Sequence, residues 1–209
     1  HSHANLKKSH NEVLEEIRKI SEYIAELDDP KKPEFEGNLS TAFGCTLEGS
    51  VSEDKVVKLG AQMMQLGCDE VGLSDTTGYA NPNQIKRLIR LLKKEVGEEN
   101  LTSMHLHNTR GLGLANALAS FEEGITTLDS SLGGIGGCPF APGASGNIVT
   151  EDLVFMLDAM GVETGIDIEK LLAVTEKVQS FIPNESIYGF TKDSGLPKGY
   201  EKGWGIVRG

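Results

Sequence analysis

Positive charge is in short supply in this chain. Twenty Lys and Arg stand against thirty-one Asp and Glu, a formal net charge of −11. That balance argues against nucleic acid or an anionic membrane surface as the main partner, since both need a basic face. A local basic pocket for a phosphorylated ligand stays open. Cysteine is scarce too. Cys45, Cys68 and Cys138 are three and scattered, too few for a disulfide framework, and an odd number leaves at least one free. A reducing compartment is the simplest setting. No apolar run approaches the roughly 18 residues of a membrane span, and no secretory signal is legible. What is present fits a globular protein: 209 residues, 38% hydrophobic and 24% charged, enough to bury a real core in one large domain or two small ones.

Periodicity supplies the organisation. Ser9-His10-Asn11-Glu12 reads as a capping box, and Val13, Ile17, Ile20, Ile24 and Leu27 follow at helical steps until Asp28-Asp29-Pro30. Residues 31–37 read as a loop and Leu39 to Phe43 as a strand. Ser52 is expected to cap a helix through Gln65, with Val56, Leu59 and Met63 inward and Gly67 closing it. Glu70 to Ser74 is the next strand. Asn81-Pro82 opens a helix whose stripe is Ile85, Leu88, Ile89 and Leu92, ending at Gly97. A strand from Leu101 to Leu106, a helix from Leu112 to Phe121 and a strand from Ile125 to Ser130 follow. Thr150 is expected to cap a helix through Met160, and Asp167 to start one running to about Gln179. The tail from Pro183 reads as a mobile end. Strict strand–helix alternation implies parallel strands with right-handed crossovers, in a doubly wound sheet or a barrel.

Chemistry gathers at the strand ends. Residues i and i+2 of a strand share a face, so His105 and His107 in HLHNTRGLG project together at the C-terminal end of theirs, where parallel α/β folds place active sites. Asp75 ends the preceding strand in SDTTG, and a glycine-rich loop runs from Gly133 to Gly146 after the following one. Each feature has an ordinary explanation. Paired histidines also line barrel mouths, an Asp after a strand is commonly a turn or cap residue, glycine loops are connectors or phosphate cradles, and a lone cysteine is a small hydrophobe. Their occurrence on successive strand ends favours a site.

The segments HLHNTRGLGLANALASFEEG and DSSLGGIGGCPFAPGASGNIVTEDLVFMLDAMGV, with FGCTLEG and SDTTG, resemble the 3-hydroxy-3-methylglutaryl-CoA lyase family of metal-dependent TIM-barrel enzymes. The resemblance runs from about Ser9 to about Gln179 and is most specific between Gly133 and Asp152. It implies a (β/α)8 barrel of which this chain holds the last four βα units plus C-terminal helices, with residues 1–182 as that part of the domain and 183–209 as a tail. It implies His105, His107 and Asn147 as ligands of a divalent cation, Mg²⁺ or Mn²⁺, with Zn²⁺ or Co²⁺ also accommodated. His105 would also move a proton, Asp75 would be a catalytic carboxylate, and Cys138 would act on a closing loop. Gly133, Gly134, Gly136, Gly137, Pro139, Gly143 and Ser145 would form that loop against the substrate. The implied reaction is retro-Claisen cleavage of 3-hydroxy-3-methylglutaryl-CoA, or a close branched analogue, to acetyl-CoA and acetoacetate or the corresponding keto acid. The implied assembly is a homo-oligomer, most simply a dimer, with no nucleic acid or membrane partner. It would sit in the cytoplasm of a bacterium or the mitochondrial matrix of a eukaryote.

The family's Arg-Asp-Gly-Leu at the end of its first strand, source of a cation and a metal ligand, has no match here. The chain opens His1-Ser2-His3 and not on Met, and the expectation is that residues precede it. Taken as whole, it would be a half-barrel with raw sheet edges. Two other readings stand beside the lyase: a Claisen-type synthase of the same superfamily, against which Cys138 in its loop speaks, and an impaired half-barrel serving as an assembly subunit.

Overall fold

The computed structural model describes residues 1–137 and 146–203. They fall into two units, residues 1–129 and residues 130–137 with 146–203.

The first unit is a four-stranded parallel sheet with helices. Its strands are β1 (Glu36–Leu39), β2 (Glu70–Asp75), β3 (Ser103–Leu106) and β4 (Thr127–Asp129), and its helices α1 (Ser2–Leu6), α2 (His10–Glu26), α3 (Glu53–Gln65), α4 (Pro82–Val96) and α5 (Gly113–Glu122). The spatial order is β1-β2-β3-β4. Each crossover steps one place in the same direction, which is the winding of a (β/α) barrel and lacks the reversal of a doubly wound sheet. The fold is therefore of the (β/α)-barrel type, with four strands of the barrel in this chain.

Local sequence explains the helices. Ser9 and Glu12 form the predicted capping box of α2. Asn81 accepts from the backbone of Asn83 and Gln84, Pro82 takes the first turn, and Gly97 is the C-cap of α4. Ile85, Leu88, Ile89 and Leu92 are all 0% exposed, so the stripe is the contact face. Gly60 lets α3 approach it closely, because a Cβ there would meet Leu92 Cδ1 at 2.7 Å.

The two faces of the sheet differ. Val71, Leu73, Met104 and Leu106 are buried on the side that α3 and α5 cover. The opposite side is polar. Register sets Asn38, Gly72, Ser103 and Thr127 in one row, and Ser74, His105 and Asp129 in the next. Glu36 Oε1 accepts from Asn38 Nδ2 at 3.1 Å and from Ser103 Oγ at 2.7 Å. Its carboxylate passes over Gly72, where any Cβ would strike it.

Three local readings need correction. The first strand is Glu36–Leu39, earlier than Leu39 to Phe43. Its polar residues, Glu36 and Asn38, face the polar side, so the alternation hides in what reads as a loop. Beyond it the chain turns, with Thr41 at φ 54, its N–H donating to Thr76 Oγ1 at 3.0 Å. Thr150 is the first residue of its helix and not the cap, which is Val149. The segment after Pro183 is no loose end over the described residues: it carries α8 (Phe190–Ser194), and Ile187 and Thr191 are buried.

The second unit also holds α6 (Thr150–Ala159) and α7 (Ile168–Phe181). Three consecutive side chains of α6 organise it. Thr150 Oγ1 donates to Ser130 Oγ at 2.9 Å. Glu151, 0% exposed, accepts from the Gly133 N–H with both oxygens, at 3.0 and 3.2 Å, and from the Thr175 hydroxyl. Asp152 accepts from the N–H groups of Phe190 and Thr191, at 3.1 and 2.7 Å, at the start of α8.

Candidate active site

His105 lies in β3 and His107 one residue beyond it, so strand pleating sends both to the polar face. Their rings meet edge to face, with centroids 5.1 Å apart and 62° between planes. The two Nε2 atoms are 3.2 Å apart. Behind His105, Nδ1 is 3.1 Å from Asp129 Oδ2. A carboxylate there takes the Nδ1 proton, which leaves the lone pair on Nε2. His107 is 6% exposed. Burial, and secondarily the charge of His105, pushes its pKa down to about 4, so it is a neutral imidazole at pH 7. Its Nδ1 is buried with no hydrogen-bond partner. The two imidazoles thus bring their Nε2 atoms together, and the orienting Asp129 is the residue that sequence reasoning missed. Its signal was position: Asp129 ends β4, in register with His105.

Asn147 belongs to the second unit. Its Nδ2 donates to the Ile135 carbonyl at 3.0 Å, which fixes the amide so that Oδ1 is the buried atom left without a partner. The Asn147 amide oxygen, like the imidazole nitrogens of the first unit, is a donor type suited to a divalent cation. Among the described residues no group of three or more His, Cys, Asp or Glu is placed to hold a metal ion. Each unit by itself therefore supplies donors of a type that fits such a cation, and fewer than a full shell.

Asp75 is placed differently from the pair. Register sets it opposite Leu106, on the other face from His105 and His107. Its oxygens accept from the N–H groups of Tyr79 at 2.9 Å and Ala80 at 3.1 Å, holding the turn that leads to α4. Burial raises its pKa to about 6, against those hydrogen bonds and the Arg110 charge, which lower it. A carboxylate raised in the folded state contributes stability that is present below about pH 4 and lost as pH rises through about 6. Asp75→Asn is free of that loss. Relative to the parent, the variant should gain about 3 kcal/mol between pH 4 and pH 7. Urea denaturation of both proteins at the two pH values measures it, and a difference independent of pH would refute the raised pKa.

The glycine loop is described at its two ends. Gly133 (φ 56) and Gly134 (φ 67) need the left-handed region. The Tyr188 N–H donates to the Gly133 carbonyl at 3.0 Å, and the Tyr188 hydroxyl to the Asn147 carbonyl at 3.1 Å. A Cβ on Gly136 would meet Asn147 Nδ2 at 2.7 Å, and Gly137 is exposed. Cys138, Pro139, Gly143 and Ser145 lie outside the described residues. Cys45 and Cys68 are free and buried, and burial pushes the Cys68 thiol up to about 11, so Cys68 is not poised as a thiolate.

The chain is similar to known proteins over most of its length. Hydroxymethylglutaryl-CoA lyase YngG of Bacillus subtilis is 36% identical over 196 residues, 91% of this chain and 63% of that protein. The (R)-citramalyl-CoA lyase of Chloroflexus aurantiacus is 45% identical over 138 residues, 66% of this chain and 43% of that protein. An HMG-CoA lyase structure from Acinetobacter baumannii, in complex with coenzyme A and 3-methylmalate, superposes with a TM-score of 0.85 at 38% identity, over 95% of this chain and 63% of that one. The chain thus spans under two thirds of the length of these relatives. The HMGL-like family model matches residues 1–178, and with the barrel winding and the paired histidines in place, this chain belongs to the HMGL-like family.

Proposed function

We propose that the chain carries the metal-binding end of the active site of a carbon–carbon lyase. Its substrate would be 3-hydroxy-3-methylglutaryl-CoA or a close branched analogue, and its products acetyl-CoA and acetoacetate or the matching keto acid. The observation that carries the reading is the 3.2 Å approach of the His105 and His107 Nε2 atoms on the strand-end rim. Relatives that bear lyase names support it, and the citramalyl-CoA lyase widens the range of acyl groups.

In the retro-Claisen reaction the substrate hydroxyl loses its proton. The C–C bond breaks, its electrons pass to the thioester enolate, and the enolate takes a proton. A divalent cation, Mg²⁺ or Mn²⁺ with Zn²⁺ or Co²⁺ as substitutes, would acidify the hydroxyl and offset charge there. His107 and His105 would hold it through Nε2, and Asn147 through Oδ1. His107 suits this duty because no proton competes for its lone pair near neutral pH. His105 would also take part in proton transfer, with Asp129 orienting its ring through Nδ1. Cys138 would return a proton to the enolate from the glycine loop. Asp75, with both oxygens on backbone N–H groups, would act by holding the Tyr79–Ala80 turn of the rim.

The test is acetyl-CoA release by the full-length protein with Mn²⁺ from 3-hydroxy-3-methylglutaryl-CoA and from citramalyl-CoA. Release from either supports the reading. Folded protein that releases none from both sinks it, and condensation with a 2-oxo acid in its place would make the protein a synthase.

A further inference from the structure

Four arginines lie among the described residues, and three of them grip a carboxylate along the same edge. Arg18 donates Nε and Nη2 to Glu15 at 3.0 and 2.5 Å. Arg87 does so to Glu53 at 3.0 and 2.6 Å, and Arg90 to Glu123 at 2.7 and 2.5 Å. Arg110 departs from the pattern. Its Nη1 donates to the carbonyls of Thr77 at 2.9 Å and Gly78 at 3.4 Å, and its guanidinium carbon stands 4.6 Å from the centroid of the Tyr79 ring. One edge and one face of the head are therefore fixed to the β2–α4 loop. Nε and Nη2 have no hydrogen-bond partner among the described residues.

Position gives that open edge its meaning. Arg110 follows His107 by three residues and acts electrostatically on Asp75. It is also the single Lys or Arg in the segments after the four strands, residues 40–52, 76–81, 107–112 and 130–149. In a chain with eleven more acidic than basic residues, the one cation of these segments makes no hydrogen bond to a carboxylate among the described residues.

We infer that the Nε–Nη2 edge of Arg110 receives the free carboxylate of the substrate's acyl group. This rests on the acyl-CoA reading above and names the residue that selects among acyl groups. A planar two-oxygen anion matches the edge with two parallel hydrogen bonds, as the three internal pairs do. Prior anchoring of Nη1 and the ring face lowers the ordering cost of binding. Selectivity follows: an acyl thioester whose distal group is an amide or methyl leaves the fork unfilled.

The test uses the full-length protein with Arg110→Gln and Arg110→Lys, titrated calorimetrically with free 3-hydroxy-3-methylglutarate and, separately, with coenzyme A. Arg110→Gln should weaken the diacid about 10–100-fold, the range expected for hydrogen bonds to a charged partner, and leave coenzyme A within about twofold of the parent. Arg110→Lys should recover part of the loss, having the charge without the fork. In turnover, KM for the thioester should rise by the same factor with kcat changed far less. Unchanged diacid affinity in Arg110→Gln, or no diacid binding by the parent, overturns the inference. A loss confined to coenzyme A reassigns the edge to a phosphate and overturns it as well. Equal losses for both ligands with a lowered unfolding midpoint would make Arg110 a clamp between two loops and nothing more. Should the parent cleave no thioester while Arg110→Gln still loses the diacid, the lyase reading falls and the carboxylate site stands.

Discussion

His107→Ala should lower Mn²⁺ affinity by more than about 100-fold, because it removes a ligand outright where loss of a mere supporting partner costs about 10–100-fold. The side chain is suited to nothing else on the face it occupies. It is buried, neutral above about pH 4, and holds its Nδ1 without a partner, a cost of about 1–3 kcal/mol for a desolvated polar atom. An imidazole kept there at that cost earns its place through Nε2. Asp129→Asn supplies the graded comparison. It keeps the shape but weakens the hold on His105 Nδ1, now 3.1 Å away, and should cost about 10–100-fold. Calorimetric titration of Mn²⁺ into metal-free parent and both variants reads the series. Equal affinity in His107→Ala and parent would mean that the pair lines the barrel mouth and binds no metal.

Cys138→Ala should leave Mn²⁺ affinity as it is and reduce kcat about 10²–10⁴-fold, the usual worth of a general acid–base step. The argument is chemical. Cleavage ends on an enolate that needs a proton, and alanine offers none. Cys45 and Cys68 cannot substitute, since both are buried. Serine restores a hydroxyl of similar size but a far weaker acid, so Cys138→Ser should recover little. The decisive pattern is metal binding retained with turnover lost; full turnover in Cys138→Ala would remove the thiol from the reaction.

Legibility in the sequence followed the physical source of each feature. The α4 stripe was plain because helix period and burial coincide, and all four of its residues are 0% exposed. The histidine pair was plain because two imidazoles at strand spacing are costly in a core. β1 was hidden because Glu36 and Asn38 spend their polarity on Ser103 and Ser74 across the sheet, a contact that no local pattern announces. Asp129 was hidden for the same reason: its partner is 24 residues away, and only register joins them. Asp75 had two readings, catalytic carboxylate or turn residue, and its hydrogen bonds to Tyr79 and Ala80 are those of a turn residue. The tail misled because its glycines and prolines mask the anchoring acid, Asp152, 38 residues upstream of Phe190.

Thr150, Glu151 and Asp152 reach Ser130, Gly133 with Thr175, and the start of α8 from a single turn of α6. Adjacent positions on a helix are about 100° apart, so these three attachments radiate from one axis like spokes. They cannot be released one at a time by a small rotation of α6; turning the helix breaks all three. In native-state hydrogen exchange the amides of Gly133, Phe190 and Thr191 should therefore open as one cooperative group, despite lying far apart in the chain. An insertion of one residue ahead of Thr150 would swing every spoke off its partner, whereas the same insertion beyond Ala159 would leave the hub whole.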